Sequence, residues 1–550
     1  MGSFLAWGFD RLLGLPPAAA PDVQRRKDLR IPLPDGVVTL ADWYRPSGSG
    51  TTAMPVVLVR TPYGHQTILG RLLGSVLARR GLQVVIQSVR GTFGSGGEYW
   101  PMHQERDDGV ATVAWLRDQP WCDGRIATAG PSYLGHTQWA IGPYLDQPLA
   151  AMCVSVTTSD FPRTFYPDGN ISLYSLLSWS SLIGTQEDGT PLSRMLGQRK
   201  QERRNDAAMA SLPLREADRV AIGKPVRFWQ EVIEHAEPGD DFWKPINHRP
   251  LVAKLTTPTT MVTGWYDLFL PAQLDDFRDL QRAGRSTRIT IGPWAHADPG
   301  NIRTMLADTA NFLVAHLGGN TSELNRAPVR VYLQHADRWL DFPAWPPEEA
   351  TPTPIHLHDG RKLDWPSPEN GQSDEFDYDP ADPTPSTGGP LLNGPTKQRD
   401  NAAIEAREDV LTYTGERLAR DLDLVGELAA TIFLRIGLGH GDVFVRLCDV
   451  DARGVSRNVC DGMIRLRAGD LEPAEDGVVE VRIPMYPTGY RFRRGHRLRV
   501  QVTAGAFPRF SRNHGTEDPI ADATTMRRNH YEILHDAGHP SRIVLPVLSN

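Results

Sequence analysis

From about residue 30 to 155, short β-branched runs alternate with helix-compatible stretches, and this alternation restricts the possible folds more than any other feature of the chain. Strands joined through helices lie parallel in one sheet, with the helices covering its faces. Val56-Val57-Leu58-Val59 reads as a strand buried on both sides, ending at Thr61-Pro62-Tyr63-Gly64, where Pro and Gly force a turn. Leu82 to Ser88 reads as the next strand and leads into the glycine-rich loop Gly91-Thr92-Phe93-Gly94-Ser95-Gly96-Gly97. Glu105 to Asp118 is expected to be a helix, with Asp107 and Asp108 near its positive end and Val110, Val113 and Ala114 on one face. Asp123-Gly124 turns the chain into a strand from Arg125 to Ala129, followed by Gly130-Pro131-Ser132-Tyr133-Leu134-Gly135 and a further helix start.

Between about 160 and 250 the strand-like runs disappear and aromatic and polar positions mix with helical stretches, which predicts an inserted helical cap. Strand signals return at Thr259-Thr260-Met261-Val262-Thr263 and Arg288-Ile289-Thr290-Ile291, ending in Gly264-Trp265-Tyr266-Asp267 and Gly292-Pro293-Trp294-Ala295-His296. Proline is dense from Pro343 to Pro354, and Pro366 to Pro395 is rich in Pro, Gly, Ser and Asp, so a domain boundary is expected near 345. Beyond about 410 the pattern is nearly all β, with strand alternation at Val443 to Leu447 and Leu498 to Val502, as in a sandwich or jelly roll. The expected organisation is an α/β core over 1–158 and 252–345, a helical cap over 159–251 and a β jelly-roll domain over 346–550. No fixed-period repeat is present.

A chain of 550 residues can bury large cores without covalent staples. Its net charge of -7 argues against nucleic acid, which calls for a concentrated basic surface. The basic run Arg199 to Arg204 is interrupted by Gln201 and Glu202 and reads as a solvated helix face. Cys122, Cys153, Cys448 and Cys460 form no CxxC pair, so free thiols in a reducing, cytoplasmic setting are expected. Asp10 and Arg11 split the apolar residues of Met1 to Leu15, which does not read as a signal peptide, and no run of about 18 apolar residues predicts a membrane span. Without a secretory signal, the sequons at Asn170 and Asn320 read as chance. The expected partner is a small molecule rather than nucleic acid or a membrane, with a homodimer left open.

A serine hydroxyl is a poor nucleophile at neutral pH. Acyl transfer therefore needs a base beside it, a carboxylate behind the base and donors for the developing oxyanion. Ser132 follows a strand and precedes a helix, the setting of a nucleophile on a tight strand-to-helix turn. The turn departs from G-x-S-x-G because its second glycine, Gly135, comes one place late. Asp267 and His296 follow in the order Ser, acid, His, each just after a strand, so these three are the candidate catalytic residues.

Five motifs together resemble the CocE/NonD hydrolases, the family of cocaine esterase and X-prolyl dipeptidyl peptidase. They are Arg60-Thr61-Pro62-Tyr63, Val89-Arg90-Gly91-Thr92 with Ser95-Gly96-Gly97-Glu98, Gly130 to Gly135, Gly264 to Asp267, and Gly292 to His296. His535 to Ser541 is similar to the family's closing segment, and the late glycine is the family's own. The resemblance spans roughly residues 30 to 548 and implies an α/β-hydrolase fold with an inserted helical cap and a C-terminal jelly roll. It implies an oxyanion hole made by the backbone N–H of Tyr133 and the phenol of Tyr63, and an acyl-enzyme mechanism that needs no metal or organic cofactor.

The loop at 91 to 97 lacks the Lys-Ser/Thr of a P-loop and reads as a tight turn. His530, His535 and His539 read as hairpin surface rather than metal ligands. Leu268, Phe269 and Leu270 cannot pair with an ammonium ion, unlike the carboxylates of the α-amino acid ester hydrolases, which favours a carboxylesterase with Phe269 lining an acyl pocket. Trp265 and Phe161 are further candidate substrate contacts. Two alternatives stand beside this: an X-Pro dipeptidyl peptidase or amide hydrolase, needing acidic anchors in the cap such as Asp160 or Asp168, and a catalytically silent fold whose jelly roll binds carbohydrate or a partner chain.

Overall fold

The computed structural model describes residues 14–549 apart from 190, 238, 320, 322–323 and 470–471. The first 13 residues, and the sequon positions 320 and 322, therefore lie outside the described residues. Asn170, of the other sequon, is fully buried.

Ten strands form the first sheet: β1 (Val23–Pro32), β2 (Val38–Pro46), β3 (Met54–Thr61), β4 (Gln83–Ser88), β5 (Cys122–Pro131), β6 (Ala151–Ser155), β7 (Thr259–Tyr266), β8 (Thr287–Ala295), β9 (Val329–Leu333) and β10 (Arg338–Phe342). Their spatial order is β1-β2-β4-β3-β5-β6-β7-β8-β9-β10. The strands from β4 to β9 pair in parallel, while β1, β2 and β10 join antiparallel at the two edges. Every residue of β4, β6 and β7 is buried, as strands covered on both faces must be. One apolar cluster, with Val57, Ile86 and Leu313, fills one face, and a second, with Leu58, Val154 and Phe277, fills the other.

The chain leaves the sheet after β6 and returns at β7. Between them lie the cap helices, among them Leu173–Thr185, Pro191–Ala210 and Arg227–Glu234. The basic run is exposed on Pro191–Ala210. The loop at 91 to 97 is a turn in which Gly91, Gly94 and Gly97 have positive φ.

The break between the two sheets falls between Phe342 and Ala350, in the proline-dense stretch. The second, eleven-stranded sheet is almost wholly antiparallel, and its first and last strands, Ala350–His358 and Arg542–Leu548, are neighbours. Its long strand Leu422–Ile436 pairs with Val479–Phe492 and, on the other side, with Arg542–Leu548. The two sheets lock together at Gln334, which donates its backbone N–H to Gly489 O at 3.0 Å and accepts from Arg491 N at 3.0 Å. The four cysteines are free and buried. The three late histidines do not converge: His530 pairs with Asp377, His535 with Asp374 and His539 with Asp536.

Candidate active site

At the exit of β5, Ser132 adopts φ 58° and ψ -124°, a strained conformation for a residue with a side chain, and one that lifts it off the sheet. The helix Tyr133–Trp139 begins immediately after it. A Cβ at Gly135 would lie 2.3 Å from Thr157 Cγ2, so glycine is required where this helix crosses the loop leaving β6. Leu134, the position where the commoner pattern has glycine, is instead buried in the core. The displaced glycine thus marks where the backbone makes its close approach.

His296 and Asp267 arrive from the ends of β8 and β7. A Cβ at Gly264 would fall 2.2 Å from Trp294 O, so the two strand exits touch only because that position is bare. His296 Nε2 lies 3.1 Å from Ser132 Oγ, and its Nδ1 lies 2.8 Å from Asp267 Oδ2. Asp267 is fully buried, and its other oxygen accepts the Phe269 N–H at 2.8 Å. Asn301 donates to the His296 carbonyl at 3.2 Å. A carboxylate held this way fixes the ring so that Nε2 faces the hydroxyl and can take its proton.

A narrow cavity of about 40 Å³ opens onto Ser132, walled by Tyr63, Tyr133, Phe161, Phe165, Leu176, Trp179, Leu268, Phe269 and Leu392. The Tyr63 hydroxyl accepts from Trp179 Nε1 at 3.0 Å, which leaves its own proton free to donate. Burial pushes the phenol up to about 12, so it stays protonated through neutral pH. As the first residue of its helix, Tyr133 has a backbone N–H with no acceptor within that helix. The Tyr133 side chain is a strut: its hydroxyl donates to Glu105 Oε1 at 2.8 Å and accepts from Met102 N at 2.8 Å. Behind it, Glu105 pairs with buried Arg60 at 2.7 Å.

Phe161 and Phe269 face each other with ring centres 5.1 Å apart, and the Phe269 ring lies 5.5 Å from that of His296. Trp265 does not join them, and its expected substrate contact is corrected here. β7 runs on to Tyr266, and Trp265 points to the opposite sheet face, donating to Tyr332 O at 2.7 Å and packing on Trp345 and Gly489. Sequence reasoning also missed Trp179 and Leu392, which lie in the cap and in the Pro- and Gly-rich stretch, where no local pattern marks them. Asp160 and Asp168 stand outside the cavity: Asp160 caps the helix Phe161–Phe165, and Asp168 lines a neighbouring hollow with Arg163 and Tyr486. A cavity of about 620 Å³ lies between cap and β domain, and none of Ser132, Asp267 and His296 lines it.

Residues 35–298 match the X-Pro dipeptidyl-peptidase (S15 family), and residues 324–544 match the X-Pro dipeptidyl-peptidase C-terminal non-catalytic domain. The cocaine esterase of Rhodococcus sp. (strain MB1 Bresler) is 32% identical, over 95% of this chain and 98% of that protein. Two solved structures share the fold with a TM-score of 0.81 each. An aminopeptidase from a marine sediment Thaumarchaeota archaeon is 23% identical, covering 96% of this chain and 97% of its own; an α-amino acid ester hydrolase is 21% identical, covering 97% and 98%. The chain therefore belongs to the CocE/NonD family of α/β-hydrolases, which joins cocaine esterase to the X-Pro dipeptidyl peptidases.

Proposed function

We propose that this protein is a carboxylesterase that cleaves small apolar acyl esters, with Ser132 as nucleophile, His296 as general base and Asp267 as its orienter. The observation that carries this is the hydrogen-bonded line Ser132–His296–Asp267, with contacts of 3.1 and 2.8 Å, opening onto an apolar cavity. His296 takes the Ser132 proton as Oγ attacks the ester carbon. The oxyanion rests on the Tyr133 N–H and the Tyr63 hydroxyl, and the alcohol leaves with the proton returned by His296. Water then repeats the sequence on the acyl-enzyme.

Among the described residues, no Asp, Glu, Lys or Arg lines the cavity at Ser132. A peptide amino terminus would find no counter-charge there, only aromatic and aliphatic walls with the neutral side chains of Thr164, Ser172 and Ser175 among them, which supports ester over X-Pro peptide cleavage. The space is so narrow that the aromatic walls must part to seat an acyl group, and Phe161 and Phe269 are placed to contact it. Among the described residues, no helix is long and apolar enough to cross a membrane.

The test is turnover of p-nitrophenyl esters of several chain lengths and of an Ala-Pro anilide, each beside Ser132→Ala. Ester hydrolysis that disappears in the variant supports the proposal. Anilide turnover dependent on Ser132 would transfer it to the peptidase, and activity indifferent to Ser132 would refute the site.

A further inference from the structure

Three ligand-type side chains meet on the far side of the Tyr63 loop. His65 is 3% exposed and Asp42 is fully buried; Asp28 stands at the surface beside them. His65 Nε2 lies 3.1 Å from Asp28 Oδ1 and 3.9 Å from Asp42 Oδ1, and the three ligand atoms all lie within 4.8 Å of one another. Asp28 reaches the ring because β1 breaks register between Arg26 and Leu29.

Asp42 divides its two oxygens unequally. Oδ2 accepts from Arg25 Nε at 2.7 Å, whereas Oδ1, buried near the Tyr44 hydroxyl, meets no donor at hydrogen-bonding geometry among the described residues and faces His65. No tautomer of His65 repairs this. With the proton on Nε2, Asp28 is served and Asp42 Oδ1 remains 3.9 Å away. With the proton on Nδ1, directed at Ser88 Oγ 2.7 Å off, the imidazole lone pair faces two carboxylate oxygens, and the Gln66 amide, 3.3 Å from Nε2, divides its N–H groups between that nitrogen and Asp28 Oδ1 and leaves Asp42 Oδ1 unserved. A cation among the three atoms satisfies all of them, and the second tautomer is the one that metal-bound histidine takes.

We propose that Asp28, Asp42 and His65 bind a divalent transition-metal ion, with Zn²⁺ the best match to one imidazole and two carboxylates. Ligands about 2.1 Å from such an ion stand roughly 3.4 Å apart, between the two separations seen here. Arg25 offsets part of the negative charge and keeps Asp42 oriented. The ion ties β1 and β2 to the loop two residues beyond Tyr63, so its role is structural, and no step of ester cleavage passes through it.

The test is the metal content of the full chain, stripped with a chelator, dialysed against ZnCl₂ and then against buffer, with thermal unfolding measured alongside. About one zinc per chain and a raised melting temperature are expected for the parent. Asp28→Asn, a change at an exposed side chain that spares the core, is expected to lose both, as is His65→Gln. Ser88→Ala should weaken zinc binding by roughly 10- to 100-fold, since it removes the partner that orients the ring. His530→Gln, at a surface histidine, should retain the zinc. A parent that holds no zinc, or parent and Asp28→Asn that hold equal amounts, would overturn the site.

Discussion

At the scale of single residues, the site depends on donors whose alternatives have been removed. Tyr63 accepts from Trp179 and has its own proton free to donate in the cavity it lines, so on the proposed mechanism Tyr63→Phe is expected to lower kcat by about 100- to 1,000-fold with little change in KM, as steady-state ester kinetics would show. Glu105 matters differently. It is buried against Arg60, and Glu105→Gln would leave that guanidinium without its counter-charge, costing about 3–5 kcal/mol in denaturant unfolding. Ser132, Asp267 and His296 were legible in the sequence because each sits just past a strand, in chain order. Trp265 was misjudged for a related reason: the strand signal fades at Thr263 while the strand itself continues to Tyr266, and alternation sends Trp265 to the other face. Leu392 had no signal at all, because only the docking of a distant loop brings it to the serine.

At the scale of elements, two junctions fix the catalytic turn and the entrance to the cap. Gly135→Ala would drive a methyl group into Thr157, and the strain should cost about 1–3 kcal/mol and lower activity; Thr157→Ala in the same chain should restore part of both. The start of the cap is held by Asp276, which accepts from Ser159 N at 2.8 Å and from Thr158 Oγ1 at 3.1 Å and lies 2.5 Å from Ser159 Oγ. Burial pushes its carboxyl up to about 7. The folded chain therefore keeps this proton up to about pH 7, whereas the unfolded chain releases it near 4. Its contribution is complete below about pH 4 and is lost as the pH rises through 7, a change on the order of a few kcal/mol. Unfolding free energies from pH 4 to 8 should show that loss in the parent but not in Asp276→Asn. The parallel strands could be read because burial on both faces favours short β-branched and apolar stretches, such as Val56 to Val59. The edge strand β1 was missed because it is largely polar and exposed and so resembles a loop.

At the scale of the whole molecule, the two sheets meet through Gln334, Gly489 and Arg491. Gly489 lies under the Trp265 ring, so Gly489→Ala, which would set a Cβ 2.5 Å from Trp265 Cζ2, should lower the melting temperature by several degrees without touching the serine. Composition and proline density located the change from α/β to β because the two architectures need different periodicities. How the β domain would lean on the first sheet was not legible, since pairs such as Gln334 and Gly489 are set by docking rather than by local pattern. Leu392 carries this furthest. It belongs to the later portion of the chain, yet it walls the cavity at Ser132, and the nearby Lys397 pairs with Asp298 just beyond His296. During synthesis, a nascent polypeptide that has emerged only as far as His296 already carries the three proposed reactive groups but lacks the Leu392 wall of their chamber.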